Sequence, residues 1–306
     1  MYTETPQNFV QLQPWITCEK AAFSKCLTAG NPVFFYDTCA FIKHANFTNP
    51  EPLFLYLKQC NALVVITRCI LMELTSVSET LQSEYISYIR KLHESGISVA
   101  VLYEEDLFSM LEQCFSSSHV LNQYLSCATV HINSSVRTVS SIIKKDTKLF
   151  QILVRNQTVE HSVYRYFFQT VRRNKEPQDN LGEELLTICV HALSSLPNCQ
   201  DCRFHIFTED KEAIRHIEKA LLNSKYHLHK TCFTALSTPR LIQRLYSIRL
   251  ITTQSQIEDF LSTGNASSLI KVFASDNNNL SPELVTLPAS ELAKKIITPD
   301  AIHINY

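Results

Sequence analysis

Four short apolar runs, interleaved with helix-like stretches, constrain this fold more than any other feature. They are Val33–Tyr36, Ala62–Thr67, Ile97–Tyr103 and Phe204–Thr208. Each is nearly continuous in apolar residues instead of alternating, the pattern of a strand covered on both faces. A helix-like stretch over Glu19–Leu27 precedes the first run. A long helical pattern from about Ser76 to His93, closed by Ser95 and Gly96, lies between the second and third. Glu104, Glu105 and Asp106 open a helix after the third, placing acids at its positive end. A helix from Asp210 to about Asn223 follows the fourth. This alternation predicts an α/β fold: a three-layer α/β/α sandwich with a central, mainly parallel sheet.

The chain has 306 residues, 45% of them hydrophobic, enough for a large core. Four glycines is very few, and neither GxGxxG nor GxxxxGK[ST] occurs, which argues against a Gly-rich phosphate loop. The net charge of −1 excludes a globally basic nucleic-acid binder and leaves room for a local basic patch. Eleven scattered cysteines, an odd number, do not read as a disulfide framework. The first residues carry no signal-peptide pattern, and the best apolar run, Leu63 to Leu74, is interrupted by Arg68 and Glu73. The expectation is a reduced, cytoplasmic protein with no membrane partner. Three parts are expected: an N-terminal helical segment over 1–30, a main domain over 31–250, and a C-terminal extension over 251–306.

The acids carry the chemistry. In open α/β sheets the ligand crevice lies at the carboxyl ends of the strands. Asp37 follows the first run directly, Glu73 lies six residues beyond Thr67, and Asp210 lies two beyond Thr208. A fourth acid comes from the stretch Asp179 to Glu184, at the start of a helix running to Leu193. Carboxylates gathered at one sheet edge repel one another and call for a cation. Oxygen donors select Mg²⁺ or Mn²⁺.

These segments, VFFYDTCAFI (33–42), VITRCILMEL (65–74), DNLGEELLTICVHAL (179–193) and FHIFTEDKEAI (204–214), together resemble the PIN-domain ribonucleases. Their order and strand contexts are similar to that family's four acidic motifs, and Thr208 with Asp210 followed by Ala213 is the most telling. The resemblance covers about residues 31–245. It implies a metal-dependent endoribonuclease, with Asp37, Glu73, Glu183 and Asp210 as catalytic and metal-binding residues around Mg²⁺ or Mn²⁺. Glu183 is favoured as the third acid because Leu186, Thr187 and Val190 fall on its helical face. Asp179 and Glu184 remain accessory candidates, and Thr208 is expected to orient a carboxylate. Unrestrained activity of this kind is toxic, which would suit a toxin or an anti-phage effector with an inhibitor or activator protein as partner. A homo-oligomer is left open.

The spacing departs from the compact family pattern. From Glu73 to Glu183 is 110 residues, which implies a helical insertion at about 111–175. Between Val136 and Lys175 stand nine basic residues against Asp146 and Glu160. Lys144, Lys145, Lys148, Arg165, Arg172, Arg173 and Lys175 are the candidate RNA contacts, with Tyr164, Tyr166, Phe167 and Phe168 among them. Phosphates dock on such cations and unpaired bases stack on such rings. The same aromatics also suit a helix core. Cys199, Cys202 and His205 hint at zinc, but no second CxxC answers them. Cys39 reads as a buried small hydrophobe. Two rival functions stay open: a catalytically inactive RNA-binding or scaffold protein on the same fold, and a structure-specific DNA nuclease.

Overall fold

A computed structural model describes residues 3–75, 78–132, 138–176, 179–196, 203–211, 214, 232–263, 269–276 and 281–306. In chain order the main elements begin with α1 (Lys20–Thr28), β1 (Val33–Tyr36), α2 (Thr38–Ala45), α3 (Glu51–Gln59) and β2 (Leu63–Thr67). Then come α4 (Arg68–Leu74), α5 (Ser83–Glu94), β3 (Ser98–Leu102) and α6 (Glu104–Phe108). A helical stretch follows: α7 (Ser118–Ile132), α8 (Thr138–Lys145), the single turn α9 (Thr147–Leu149) and α10 (Tyr164–Arg173). Next are α11 (Leu181–Ser194), β4 (Arg203–Phe207), β5 (Cys232–Leu236), α12 (Thr238–Ser247) and α13 (Gln254–Ser262). Strands β6 (Leu269–Ser275) and β7 (Glu283–Pro288), helix α14 (Ala289–Ile297) and strand β8 (His303–Ile304) end the chain.

Strands β1 to β5 form one parallel sheet in the order β3-β2-β1-β4-β5, flanked by helices as an α/β/α sandwich. The apolar runs explain why. Every residue of β1 and β2 is buried. Successive side chains of a strand face opposite ways. Val33, Phe35, Leu63, Val65, Ala100 and Leu102 therefore enter one apolar cluster, and Phe34, Tyr36, Val64, Ile66, Val99 and Val101 the other. A sheet that buries both faces needs helices on both, and α10 and α11 cover the first face while α2, α3 and α5 cover the second. Thr17 forms a parallel bridge to Ala100, so the β3 edge is partly paired. Strands β7-β6-β8 make a second, antiparallel sheet. Its buried residues Ile270, Val272 and Ala274 join the same cluster as α3 and β1.

Two features differ from expectation. The helix foreseen over Ser76–His93 begins only at Ser83, as α5. Glu79, ahead of it, has a φ of 56°, which no right-handed helix accommodates. The expected helix beyond Asp210 lies largely outside the described residues. Strand β5 and the second sheet were not foreseen, although Ile270, Val272 and Ala274 alternate with outward positions as a half-buried strand should. Among the described residues, no helix is long and apolar enough to cross a membrane.

Candidate functional site

Each acid reaches the carboxyl edge of the sheet by a different local device. Asp37 follows β1 and caps α2, its Oδ1 accepting the Thr38 N–H at 2.7 Å. Helix α4 begins directly after β2, and its sixth residue is Glu73. Glu183 stands in the first turn of α11. Asp210 follows β4, its N–H donating to Thr208 Oγ1 at 3.1 Å. Thr208 Oγ1 in turn donates to Asp37 Oδ2 at 3.0 Å, so one hydroxyl ties the end of β4 to the end of β1.

The four expected acids converge electrostatically. Burial pushes the Glu183 carboxyl up to about 9, reinforced by the charges of Asp37, Asp210 and Glu73 and by a hydrogen bond to Asp210. Glu183 therefore carries a proton at neutral pH. Asp37 is buried and is pushed up to about 6, mainly by burial. The Cys39 thiol opposes that rise, Glu73 adds to it, and Thr208 and the Thr38 N–H oppose it. Cys39 is not the buried hydrophobe expected: it is exposed, and its Sγ donates to Asp37 Oδ2 at 2.8 Å.

Glu73 is held differently. Its Oε1 accepts from Lys175 Nζ at 2.8 Å and from the Gly182 N–H at 3.1 Å, and its Oε2 accepts from the Thr38 hydroxyl. Gly182 makes this approach possible. A Cβ there would stand 2.7 Å from Glu73 Oε1 and 2.8 Å from Ile70 Cδ1, closer than atoms of that kind pack. Lys175 Nζ also donates to Asp179 Oδ1 at 2.5 Å, and Asp179 takes the N–H groups of Glu176 and Leu181. Burial works against the Lys175 charge, yet Glu73 and Asp179 hold its ammonium above the ordinary lysine value.

The remaining candidates divide. Glu184 lies in the same helix turn as Glu183 but serves α8: its oxygens accept the Thr138 N–H at 3.3 Å and the Val139 N–H at 2.7 Å. Burial pushes it up to about 7 against those two donors. As an accessory ligand it is thus replaced by a helix cap. Arg172 and Lys175, expected on an RNA-facing surface, have side chains only 1% and 2% exposed. Arg172 makes a two-point pair with Glu105 at 2.5 and 2.7 Å, meets Glu104 at 2.6 Å and reaches Glu4 at 3.2 Å. A guanidinium so enclosed does not meet a surface phosphate, and sequence alone offers no sign of it because Glu4 is 168 residues away. Tyr164, Phe167 and Phe168 are core residues; of the four expected rings only Tyr166 is exposed.

Lys144, Lys145, Lys148, Arg165 and Arg173 are exposed. Lys148 Nζ lies 4.6 Å from the Tyr166 ring centre, and Tyr166 donates its hydroxyl to Asp146 at 2.7 Å. Between α8 and α10 opens a cavity of about 400 Å³, lined by Thr138, Ser141, Lys145, Thr170, Asn174 and Glu176 among others. None of Asp37, Glu73, Asp179, Glu183 and Asp210 is among the residues that line it. His205 stacks on Phe34 at 4.4 Å between ring centres, inside the sheet, and Cys199 and Cys202 of the zinc pattern lie outside the described residues.

Asp37, Glu183 and Asp210 offer oxygen donors only, a set that suits a hard divalent ion in kind. Among the described residues, no three His, Cys, Asp or Glu side chains already form a group that could hold a metal ion. Glu73 is engaged by Lys175, both Asp37 oxygens take donors, and Glu183 is hydrogen-bonded to Asp210. No family model, curated protein or solved structure matches the chain.

Proposed function

We propose that this protein is a metal-dependent nuclease that cuts RNA at the acidic edge of its sheet. The observation that carries the reading is the mutual electrostatic influence of Asp37, Glu183, Asp210 and Glu73, delivered by separate elements, with Glu183 hydrogen-bonded to Asp210. Proteins do not bury like charges together without a compensating cation or proton. Asp37, Glu183 and Asp210 would hold Mg²⁺ or Mn²⁺, which supplies Lewis-acid stabilisation of charge developing on a phosphodiester. Within the chain, Thr208 fixes the Asp37 carboxylate, and Gly182 lets Glu73 lie against the start of α11. Glu183 holds a proton that must leave before the trio can bind a cation, so binding should release acid. The exposed lysines of α8 and α9, with Tyr166, would hold a single RNA strand by its phosphates and bases. A toxin or anti-phage role, restrained by a partner protein, fits such an activity, as does a cytoplasmic location.

A second reading has its own support. Lys175 and the Glu183 proton already offset much of the charge, and no ready three-ligand group exists among the described residues. That favours a catalytically inactive RNA-binding or scaffold protein.

Titration of Mg²⁺ and Mn²⁺ into the parent and an Asp37→Asn/Asp210→Asn variant, with labelled single-stranded RNA, separates the two. The nuclease reading expects cutting by the parent and a loss of more than about a hundredfold in the variant, since even outer partners of a metal site are worth about 10–100-fold. The variant should melt no lower than the parent, because buried repulsion is relieved. Absence of cutting, with no metal-induced rise in melting temperature, would leave the inactive RNA-binding reading. Cutting of branched DNA alone would make the protein a DNA nuclease.

A further inference from the structure

We propose that a second cavity, between α2, β6 and the start of α12, binds one phosphate group: free phosphate or the terminal phosphate of a nucleic-acid strand. The cavity has a volume of about 100 Å³ and is lined by Lys43, Lys211, Lys271, Glu209, Ser237 and Ile270 among others. None of Asp37, Glu73, Glu183 and Asp210 lines it, so the inference does not need the metal-dependent reading. Liquid water takes about 30 Å³ per molecule, so the space is about that of one phosphate group and too small for a nucleotide.

The cations arrive from three separate segments. Lys43 stands in the last turn of α2, Lys211 follows β4, and Lys271 lies on β6. The lining side chains thus carry three ammonium groups and one carboxylate, a formal charge of +2. Glu209 has no oxygen to spare for the surplus. Its Oε2 accepts from Lys43 Nζ at 2.8 Å, and its Oε1 accepts the Thr238 N–H at 2.7 Å and the Thr238 hydroxyl at 2.5 Å. Cations gathered in a confined space focus a positive field there. Ser237 adds an independent sign of an absent acceptor. It is only 7% exposed, it lines the cavity, and its Oγ accepts the Arg240 N–H at 3.4 Å as the cap of α12. A hydroxyl also has one proton to donate. That of Ser237 meets no acceptor among the described residues. The start of α12 offers little else, because the Thr238 and Arg240 N–H groups are spent and Pro239 has none. An anion here is therefore held by ammonium groups and one hydroxyl. A phosphate monoester carries about −1.5 to −2 at neutral pH and so matches the surplus. A backbone phosphodiester or a carboxylate carries a single charge and leaves part of it unmatched.

Calorimetric titration of inorganic phosphate into the full chain, in metal-free buffer holding no other oxyanion, tests this. The parent should bind one phosphate saturably. Lys271→Gln, at an exposed position of β6, should weaken binding about tenfold, the worth of one charge-assisted hydrogen bond. Lys211→Gln/Lys271→Gln should abolish it. Lys91→Gln, an exposed lysine of α5 outside the lining, should leave it unchanged. Circular dichroism establishes that each variant is folded, and if the double variant is not, Lys271→Gln decides. Competition by a short single-stranded RNA ending in phosphate or only in hydroxyls names the source. Displacement by the phosphate-ended strand alone assigns the cavity to strand ends; displacement by neither assigns it to free phosphate. Equal displacement by both strands overturns the proposal, because the site would then take backbone diesters. Absence of saturable uptake overturns it too, as does parental affinity in folded Lys271→Gln. An equal loss in Lys91→Gln has the same consequence, since it would show general charge attraction and no site.

Discussion

Arg172 and Lys175 stand three residues apart, and each gathers carboxylates around a buried cation. The Arg172 cluster is closed. Its planar fork meets Glu105 at two points and Glu104 at a third, Glu104 spends its other oxygen on the Cys69 N–H at 2.8 Å, and Arg172 lies 4.9 Å from the Tyr103 ring centre. Burial works against that guanidinium, and Glu105, Glu104 and Glu4 hold its pKa above the ordinary arginine value. The Lys175 cluster is open. Its single ammonium serves Glu73 and Asp179, while Asp37, Glu183 and Asp210 crowd beside them with a retained proton. The comparison separates a planar fork enclosed by three carboxylates, Glu4, Glu104 and Glu105, from an ammonium that holds two acids beside a further three. Both gather more carboxylates than cations, and they differ in where the surplus lies: around one guanidinium in the first, beside the ammonium at the sheet edge in the second.

The largest effect that would sharpen this contrast is on stability. Arg172→Met should destabilise the fold by about 3–5 kcal/mol, the cost of leaving buried acids without their partner. Urea unfolding measures it, and a loss below about 1 kcal/mol would mean the cluster is not the closed unit described. The open cluster should respond in the opposite sense to removal of charge. Glu183 has a folded value raised to about 9, so the folded chain keeps a proton that the unfolded chain has lost. Stability should then fall as pH rises from the ordinary glutamate value towards about 9. Glu184, raised to about 7, and Asp37, raised to about 6, contribute the same sign at lower pH. Between about 7 and 9 the slope belongs to Glu183, facing Asp37, Asp210 and Glu73, at about 1.4 kcal/mol per pH unit. Glu183→Gln should flatten it; an unchanged slope would place the proton elsewhere.

The smallest effect concerns the basic stretch that both clusters interrupt. Lys144→Gln/Lys145→Gln/Lys148→Gln should weaken RNA binding and reduce the salt slope by about 0.7 for each phosphate no longer neutralised. Arg172→Met, measured where it is still folded, should leave that slope as it was. An unaltered slope in the triple variant would detach these lysines from RNA and weaken the contrast between exposed and enclosed cations.

Much of this architecture was legible in the chain. Val33–Tyr36 and the run ending at Thr67 announce strands covered on both faces because apolar character is continuous over a few neighbouring residues. Asp37, Glu73, Glu183 and Asp210 were legible because each lies a short, countable distance from a strand or helix start. The basic stretch was misjudged in part because charge counts carry no depth. Tyr164, Phe167 and Phe168 fall on one side of α10 and enter the core, while Arg165 and Tyr166 remain outside. The second sheet was missed although Ile270, Val272 and Ala274 alternate, a signal that was there to be read.

Sequence by itself determined strands β1 to β4 and the order of the acids, since strand burial and helix starts depend on residues within a few positions of one another. Tertiary structure alone decided what each charge does. Glu73 meets Lys175 across 102 positions, and Arg172 meets Glu105 across 67 and Glu4 across 168. Whether a cation lies in solvent or between carboxylates depends on contacts of that range, made only when the sheet brings distant segments to one edge.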